Sequence, residues 1–282
     1  FPWPRSRLIC FDEAGVLRSY SGSDTEVSVP GGVTALADRV FARSSVASVE
    51  LPDTVERIGA SAFEGAASLA SVTVRDARGQ VGEGLPSGLR QIGARAFLGT
   101  GLAVINVPDG VSDIGPGAFA LMPSLTGVSI GSGVREGQLV STFTASPKLK
   151  AITVKADNAS YESVDGVLFT KGRDTLLTYP LGRAGVSYTV PDGTRALAQE
   201  SFEGAPLDEV TLPDSLRRIE RYAFVGSRLS SLTLPDSFGT IGAHAFRGIA
   251  SLTWVNIGGT RTMGESAFDG DRNLTAINFR SE

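Results

Sequence analysis

Chemistry-bearing residues are scarce in this chain. Among 282 residues there is one cysteine, Cys10, and one histidine, His244. A single cysteine excludes an internal disulfide framework and a cysteine-built zinc site, and it suits either a reducing compartment or a bacterial exported protein that makes no disulfides. One histidine with one remote cysteine leaves Ser-His-Asp, Cys-His and His-rich metal arrangements without candidates. His244 lies in the string IGAHAF, at a position that holds Ser61, Arg95, Gly117, Tyr222 and Ser266 elsewhere, and it reads as an outward-facing surface residue. No GxSxG, P-loop or GxGxxG string stands in a strand-to-helix setting, and no cofactor is implied. Lysine and arginine number 26 against 30 aspartates and glutamates, without a basic block that could neutralise a phosphate backbone, so nucleic acid is not an expected partner. No apolar run approaches the roughly 18 residues of a bilayer-spanning helix. No charged region followed by an apolar one precedes FPWPRSRLICF, so the start is expected to be a processed or engineered end, with any signal already removed.

What the chain has in abundance is self-similarity. Phe202, Phe224, Phe246 and Phe268 are each 22 residues apart, as are Phe41 and Phe63, and Phe97 and Phe119. Three intervals depart from this. Phe63 to Phe97 is 34, Phe119 to Phe143 is 24 and Phe143 to Phe202 is 59, so extra residues fall between repeats, where they can leave as loops. A period in the low twenties with an L-x-x-apolar-x-apolar opening, as in Leu207, Val210 and Leu212, belongs to leucine-rich repeats rather than to helical repeats. The usual Asn or Cys of those repeats is missing.

The runs LPDTVERIGASAF (Leu51 to Phe63), VPDGVSDIGPGAF (Val107 to Phe119) and LPDSLRRIERYAF (Leu212 to Phe224) resemble the BspA-like leucine-rich repeats of bacterial surface proteins and of some protozoan ones. The segment from Gly15 to Phe41 is similar to that family's opening, and Tyr161 to Pro180 to its inserted hairpin. The resemblance covers about Gly15 to Phe279. It implies a mainly β fold: a single right-handed leucine-rich-repeat solenoid with one parallel sheet, short turns or 3₁₀ or helical turns on the opposite face, and an inserted β-hairpin. Its ligands differ from member to member, so it leaves function open.

Since a solenoid grows by adding repeats, the length is read as one domain. Residues 1–14 are expected as an irregular lead-in, 15–41 as an N-terminal cap, 75–84 as a mobile loop insertion, 161–180 as a hairpin insertion and 274–282 as an incomplete last repeat. Proline closes many leading strands, at Pro52, Pro108, Pro191, Pro213 and Pro235 among others, and aspartate follows it at Asp53, Asp109, Asp192, Asp214 and Asp236. A residue without an N–H cannot continue a ladder, and Pro-Asp presets the first corners of a turn. The Ile-Gly step at residues 58–59, 92–93, 114–115 and 241–242 is expected to be an inward anchor and a flexible corner. The Ala-Phe pair should end the coil in one short helical or 3₁₀ turn.

The outward position of each leading strand holds Glu50, Thr73, Asn106, Ser129, Thr153, Thr189, Thr211, Thr233, Asn256 and Asn278. One carboxylate in this row argues against a hydrolytic cleft, which needs two facing each other. The spacing of Asp269, Asp271 and Asn273 is that of a calcium loop, but Leu274 replaces its glycine and Arg280 its terminal glutamate, so no metal is assigned. Asn158 and Asn273 match glycosylation acceptors. Trp254 stands where other repeats carry Ser48, Ser71, Glu209, Ser231 or Ala276, so tryptophan there is no demand of the repeat. With Thr233, Asn256 and Asn278 it is the candidate partner-binding group. Leu274, Ile277 and Phe279 repeat the inward positions at an edge that invites self-association or another cover. The expectation is a non-enzymatic adhesion or protein–protein interaction module, at a bacterial surface, secreted or periplasmic, with host-matrix or cell-surface protein as ligand. The alternatives are a carbohydrate-active solenoid, favoured if outward carboxylates converge in one cleft, and an inert spacer.

Overall fold

The computed structural model describes residues 9–259 and 261–279. Trp3 and the rest of residues 1–8, and residues 280–282 of the last repeat, lie outside the described residues. The chain forms two compact units, one ending at Ser160 and the other beginning at Tyr161. Each is a stretch of β-solenoid, and no helix occurs among the described residues. Leading strands form where the apolar-x-apolar pattern places them. They are Ser48–Pro52, Ser71–Arg75, Val104–Val107, Gly127–Ile130 and Ala151–Val154 in the first unit, preceded by Glu26–Ser28 of the expected N-terminal cap, which pairs parallel with the first of them. In the second they are Ser187–Thr189, Glu209–Thr211, Ser231–Thr233, Trp254–Ile257 and Ala276–Phe279. Neighbours pair in phase, Val49 beside Val72 and Val128 beside Ile152, so the side chains that alternate inward stack apolar on apolar in the core.

A second, shorter parallel ladder stands where only turns were expected. Ala35–Leu36, Arg57–Ile58, Gln91–Ile92 and Asp113–Ile114 pair side by side in the first unit. In the second, Ala196–Leu197, Arg218–Ile219, Thr240–Ile241 and Thr262–Met263 do the same. Each is two residues long, too short for alternation to reveal it in a sequence. The glycine after the isoleucine answers to space rather than flexibility. A Cβ on Gly115 would stand 2.2 Å from the amide nitrogen of Ala94, and one on Gly242 2.5 Å from that of Arg221.

The third row carries the phenylalanines, and here the expected helical turn does not form. The residues two before and two after each phenylalanine have positive φ, as Tyr222 (59°) and Gly226 (62°) do around Phe224. Alternating right- and left-handed residues turn every second N–H toward the following coil. Tyr222, Phe224 and Gly226 donate to the carbonyls of Ala243, Ala245 and Arg247 at 3.2, 2.7 and 3.0 Å. The N–H groups between them, of Ala223 and Val225, donate back within the turn to Glu220 and Tyr222. Above this ladder the rings stack, Phe202 on Phe224 at 4.8 Å and Phe224 on Phe246 at 5.4 Å. Phe41 to Phe63 and Phe63 to Phe97 are both 5.1 Å although the second pair is 34 residues apart, so the insertion leaves the stack undisturbed.

That insertion is ordered, contrary to the mobile loop expected at Arg75 to Gly84. Val81–Glu83 runs antiparallel to Ser71–Arg75, and the Asp76 carboxylate accepts from the N–H groups of Arg78 and Gln80 at 2.9 and 2.8 Å, closing an Asx turn. The segment after Ser160 is a meander. Tyr161–Val164, Val167–Thr170 and Thr175–Thr178 pair antiparallel in order, and the last then joins the second ladder beside Ala196–Leu197. Among the described residues of the expected irregular lead-in, one stretch is a strand. Ile9–Phe11 pairs antiparallel with Val16–Tyr20, which begins the second ladder beside Ala35–Leu36, and the Tyr20 ring lies 5.2 Å from Phe41.

The calcium-like spacing near the end of the second unit has a structural use. Asp269 pairs with Arg247 at 3.2 Å, the Asp271 carboxylate accepts from the Ile249 N–H at 2.7 Å, and Asn273 donates to the Ala250 carbonyl at 2.7 Å. All three stitch the last coil to the one before. Burial pushes the Asp271 carboxyl up to about 6, against the hydrogen bonds from Ile249 and Gly248 and with help from the nearby Asp269 charge.

Two predictions follow from this packing. Phe224→Ala leaves a cavity in the ring stack and should cost about 3–5 kcal/mol, read as a lower urea midpoint of the folded chain; an unchanged midpoint would refute the inward stack. A carboxyl raised in the folded state contributes stability below its unfolded pKa and loses it as pH rises to the folded one. Wild-type stability should therefore fall between about pH 4 and about pH 6, and Asp271→Asn, which keeps the acceptor for Ile249, should flatten that descent in thermal melts across the window.

Candidate partner-binding face

The candidate residues sit on the outer face of the leading strands of the second unit. Trp254 pairs in register with Ser231 on one side and Ala276 on the other. Small neighbours cannot cover an indole, and Trp254 remains 39% exposed. Two residues on, Thr233, Asn256 and Asn278 line up across three strands, and Asn278 donates to the Asn256 side-chain carbonyl at 3.0 Å. The ladder of leading strands breaks between Glu209–Thr211 and Ser231–Thr233, which belong to different sheets. At this break opens a groove of about 450 Å³. Val210, Thr211, Leu212, Leu232, Thr233, Leu234 and Trp254 line it, with Val210, Leu232 and Leu234 themselves buried in the core. Thr233 and Trp254 thus share the groove, whereas Asn256 and Asn278 continue the face beyond it.

Three carboxylates also line the groove: Glu209, Asp214 and Asp236. Reading one outward row missed them. Glu209 belongs to the row of Trp254, and Asp214 and Asp236 follow the prolines that close their strands. The Pro-Asp step that shapes the turn also delivers a carboxylate to the face, a signal present in the sequence. In the first unit two acids of this face are satisfied internally. Glu50 accepts from the Ser28 hydroxyl at 2.7 Å and from Arg75 through two bonds of 2.8 Å, and these hold its carboxyl below the usual range. Asp109 meets Lys155 at 2.5 Å.

Other chemistry-bearing side chains are dispersed. Cys10 is free and exposed. His244 stacks on Tyr222 at 5.2 Å, with Arg221 over the tyrosine ring at 4.5 Å, and no other cysteine or carboxylate joins it into a cluster able to hold a metal ion among the described residues. Asn158 is buried and donates to the Gly131 carbonyl at 2.8 Å, which removes it as a glycosylation acceptor in the folded chain. In the last strand Phe279 is 70% exposed and Ile277 is exposed too, so these inward positions are uncovered among the described residues.

Comparison with known proteins agrees with the repeat fold. A family model for the BspA type leucine rich repeat region matches in six copies, over residues 19–85, 83–164 and 186–282. No curated protein sequence matches the chain. Among solved structures, a leucine-rich repeat protein from Eubacterium ventriosum is 20% identical with a TM-score of 0.70, covering 96% of this chain and 76% of its own. The pneumococcal vaccine antigen PcpA is 22% identical with a TM-score of 0.64, over 97% and 85%. A leucine rich cell surface protein from Faecalibacterium prausnitzii is 20% identical with a TM-score of 0.51, over 97% and 93%. At these identities the structures speak to the fold, and the repeats matched along most of the sequence give the lineage: the chain belongs to the BspA-type leucine-rich repeat family.

Proposed function

We propose that this chain is a non-enzymatic protein-interaction module of a bacterial surface, with the Trp254 face of its second unit as the contact. The observation that carries the reading is an indole left 39% exposed over a groove by a repeat that needs only a small residue there. Exposed tryptophan is the side chain most enriched in binding hot spots, because its large rigid surface gains much on burial and loses little entropy. Thr233 and the linked Asn256 and Asn278 extend the contact with donors and acceptors whose backbone is fixed by the ladder. The family and the cell-surface name of one similar structure support a bacterial surface setting, with adhesion to host matrix or cell-surface protein as the role.

One observation favours the carbohydrate-active alternative, namely the convergence of Glu209, Asp214 and Asp236 on the groove. All three are exposed, however, and a glycosidase acid needs a carboxyl held protonated by removal from water. Release of reducing sugar from a polysaccharide panel, lost in Glu209→Gln, would establish that reading instead.

The purified chain should bind at least one member of a panel of matrix proteins, glycans and cell-surface extracts. Trp254→Ala should weaken that binding at least tenfold with an unchanged melting curve; full retention of affinity in the folded variant would overturn the assignment of the face. The proposal includes self-association through Ala276–Phe279. Sedimentation at tens of micromolar should then show a dimer that Phe279→Lys returns to monomer, and a wild-type monomer would exclude it.

A further inference from the structure

We infer that the groove beside Trp254 takes a cationic side chain of the partner, arginine or lysine, with the indole as its platform and Glu209 and Asp214 as its countercharge. This rests on the reading of the Trp254 face as a partner site. Charge is the first observation. In the first unit Glu50 is neutralised by Arg75 and Asp109 by Lys155. In the second, Asp208 is neutralised by Arg228 at 3.2 Å, but the adjacent Glu209 and the groove-lining Asp214 have no ion pair among the described residues. Arg217, the nearest basic residue to Asp214 in the sequence, does not answer that charge. Its guanidinium donates to the carbonyls of Asp214 and Leu216 and to the Ser237 hydroxyl. Two exposed carboxylates therefore face the groove with their countercharge unsupplied.

Shape is the second observation. Exposed carboxylates and the exposed Trp254 line the same groove, so the aliphatic stem of arginine or lysine can lie against the indole while its head stays among the acids. The indole of Trp254 is 39% exposed, and a cation within about 6 Å of a tryptophan centroid is attracted by the ring quadrupole. The hydroxyls of Thr211 and Thr233 are placed to accept from a guanidinium, which offers five donors. The same wall repels sulfated or uronate-bearing glycans, so a basic protein segment is the partner the groove admits, and charge at its rim sets selectivity and on-rate.

Calorimetric titration with the blocked octapeptide acetyl-(Gly-Arg)4-amide, at low ionic strength, tests this against the same peptide with glutamine or glutamate in place of arginine. The arginine peptide should bind, the glutamine peptide at least tenfold more weakly, and the glutamate peptide not at all. Trp254→Ala and the double variant Glu209→Gln/Asp214→Asn should each weaken arginine-peptide binding at least tenfold. The double variant Glu13→Gln/Glu136→Gln, which removes the same charge from exposed positions of the first unit, should change it less than twofold. Melting curves check that each variant folds. Absence of arginine-peptide binding, equal binding of the glutamine peptide, or an equal loss in the Glu13/Glu136 variant would overturn the inference. Should the arginine peptide fail while Trp254→Ala still removes binding of the panel partner, the cationic reading falls and the partner face stands; if the panel partner also ignores Trp254→Ala, the face itself is wrong.

Discussion

The constraint on which this structure depends is the backbone ladder beneath the phenylalanines. A coil of 22 residues buries too little apolar surface to offset the entropy of ordering its chain, so it must be held by its neighbours. At the Phe row that hold is complete in backbone terms. Tyr222, Phe224 and Gly226 send their N–H groups to the next coil, and Ala223 and Val225 keep theirs within the turn. No donor of this turn is orphaned, which is the condition for placing it against a dry ring stack. The requirement is positive φ twice per coil, costly for ordinary residues. Glycine relieves it on one side at Gly65, Gly99, Gly204, Gly226, Gly248 and Gly270, while Ser61, Arg95, Tyr222 and His244 bear it on the other.

With the interior committed in this way, variation is confined to what points outward and to what is inserted between coils. The insertion at Arg75 to Gly84 obeys this rule: it leaves as a hairpin on the leading strand while Phe63 and Phe97 still stack. Trp254 obeys it too, occupying a slot that Ser231 and Ala276 fill on either side. Such positions cost the fold little and so are open to be shaped by a partner.

The two units use this freedom differently. On the first, Glu50 and Asp109 are closed off by Arg75 and Lys155. On the second, a break in the strand ladder opens a groove where Glu209 and Asp214 have no ion pair among the described residues and the Trp254 indole is exposed. Binding energy can come only from groups the fold has not already consumed, and this is where the second unit retains them.

The sequence by itself determined the period, the ten leading strands, the inward row of phenylalanines and the outward row that runs through Thr233, Asn256 and Asn278. Each repeats a local pattern, and the 22-residue spacing reports stacking directly. It also marked Trp254, because a repeat supplies its own control at every position. Only the tertiary structure decided the rest. The two-residue second ladder is too short to leave a periodic trace, and the turns at the phenylalanines became left-handed at alternate residues because donors had to reach the next coil. The Asp76 turn that orders the insertion is local but lay hidden in a polar run. The meeting of Glu209, Asp214 and Trp254 in one groove joins residues 45 positions apart in the chain, and their unanswered charge against the neutralised Glu50 depends on which arginine or lysine comes within reach. Distance between coils sets those contacts, and a one-dimensional pattern carries no record of it.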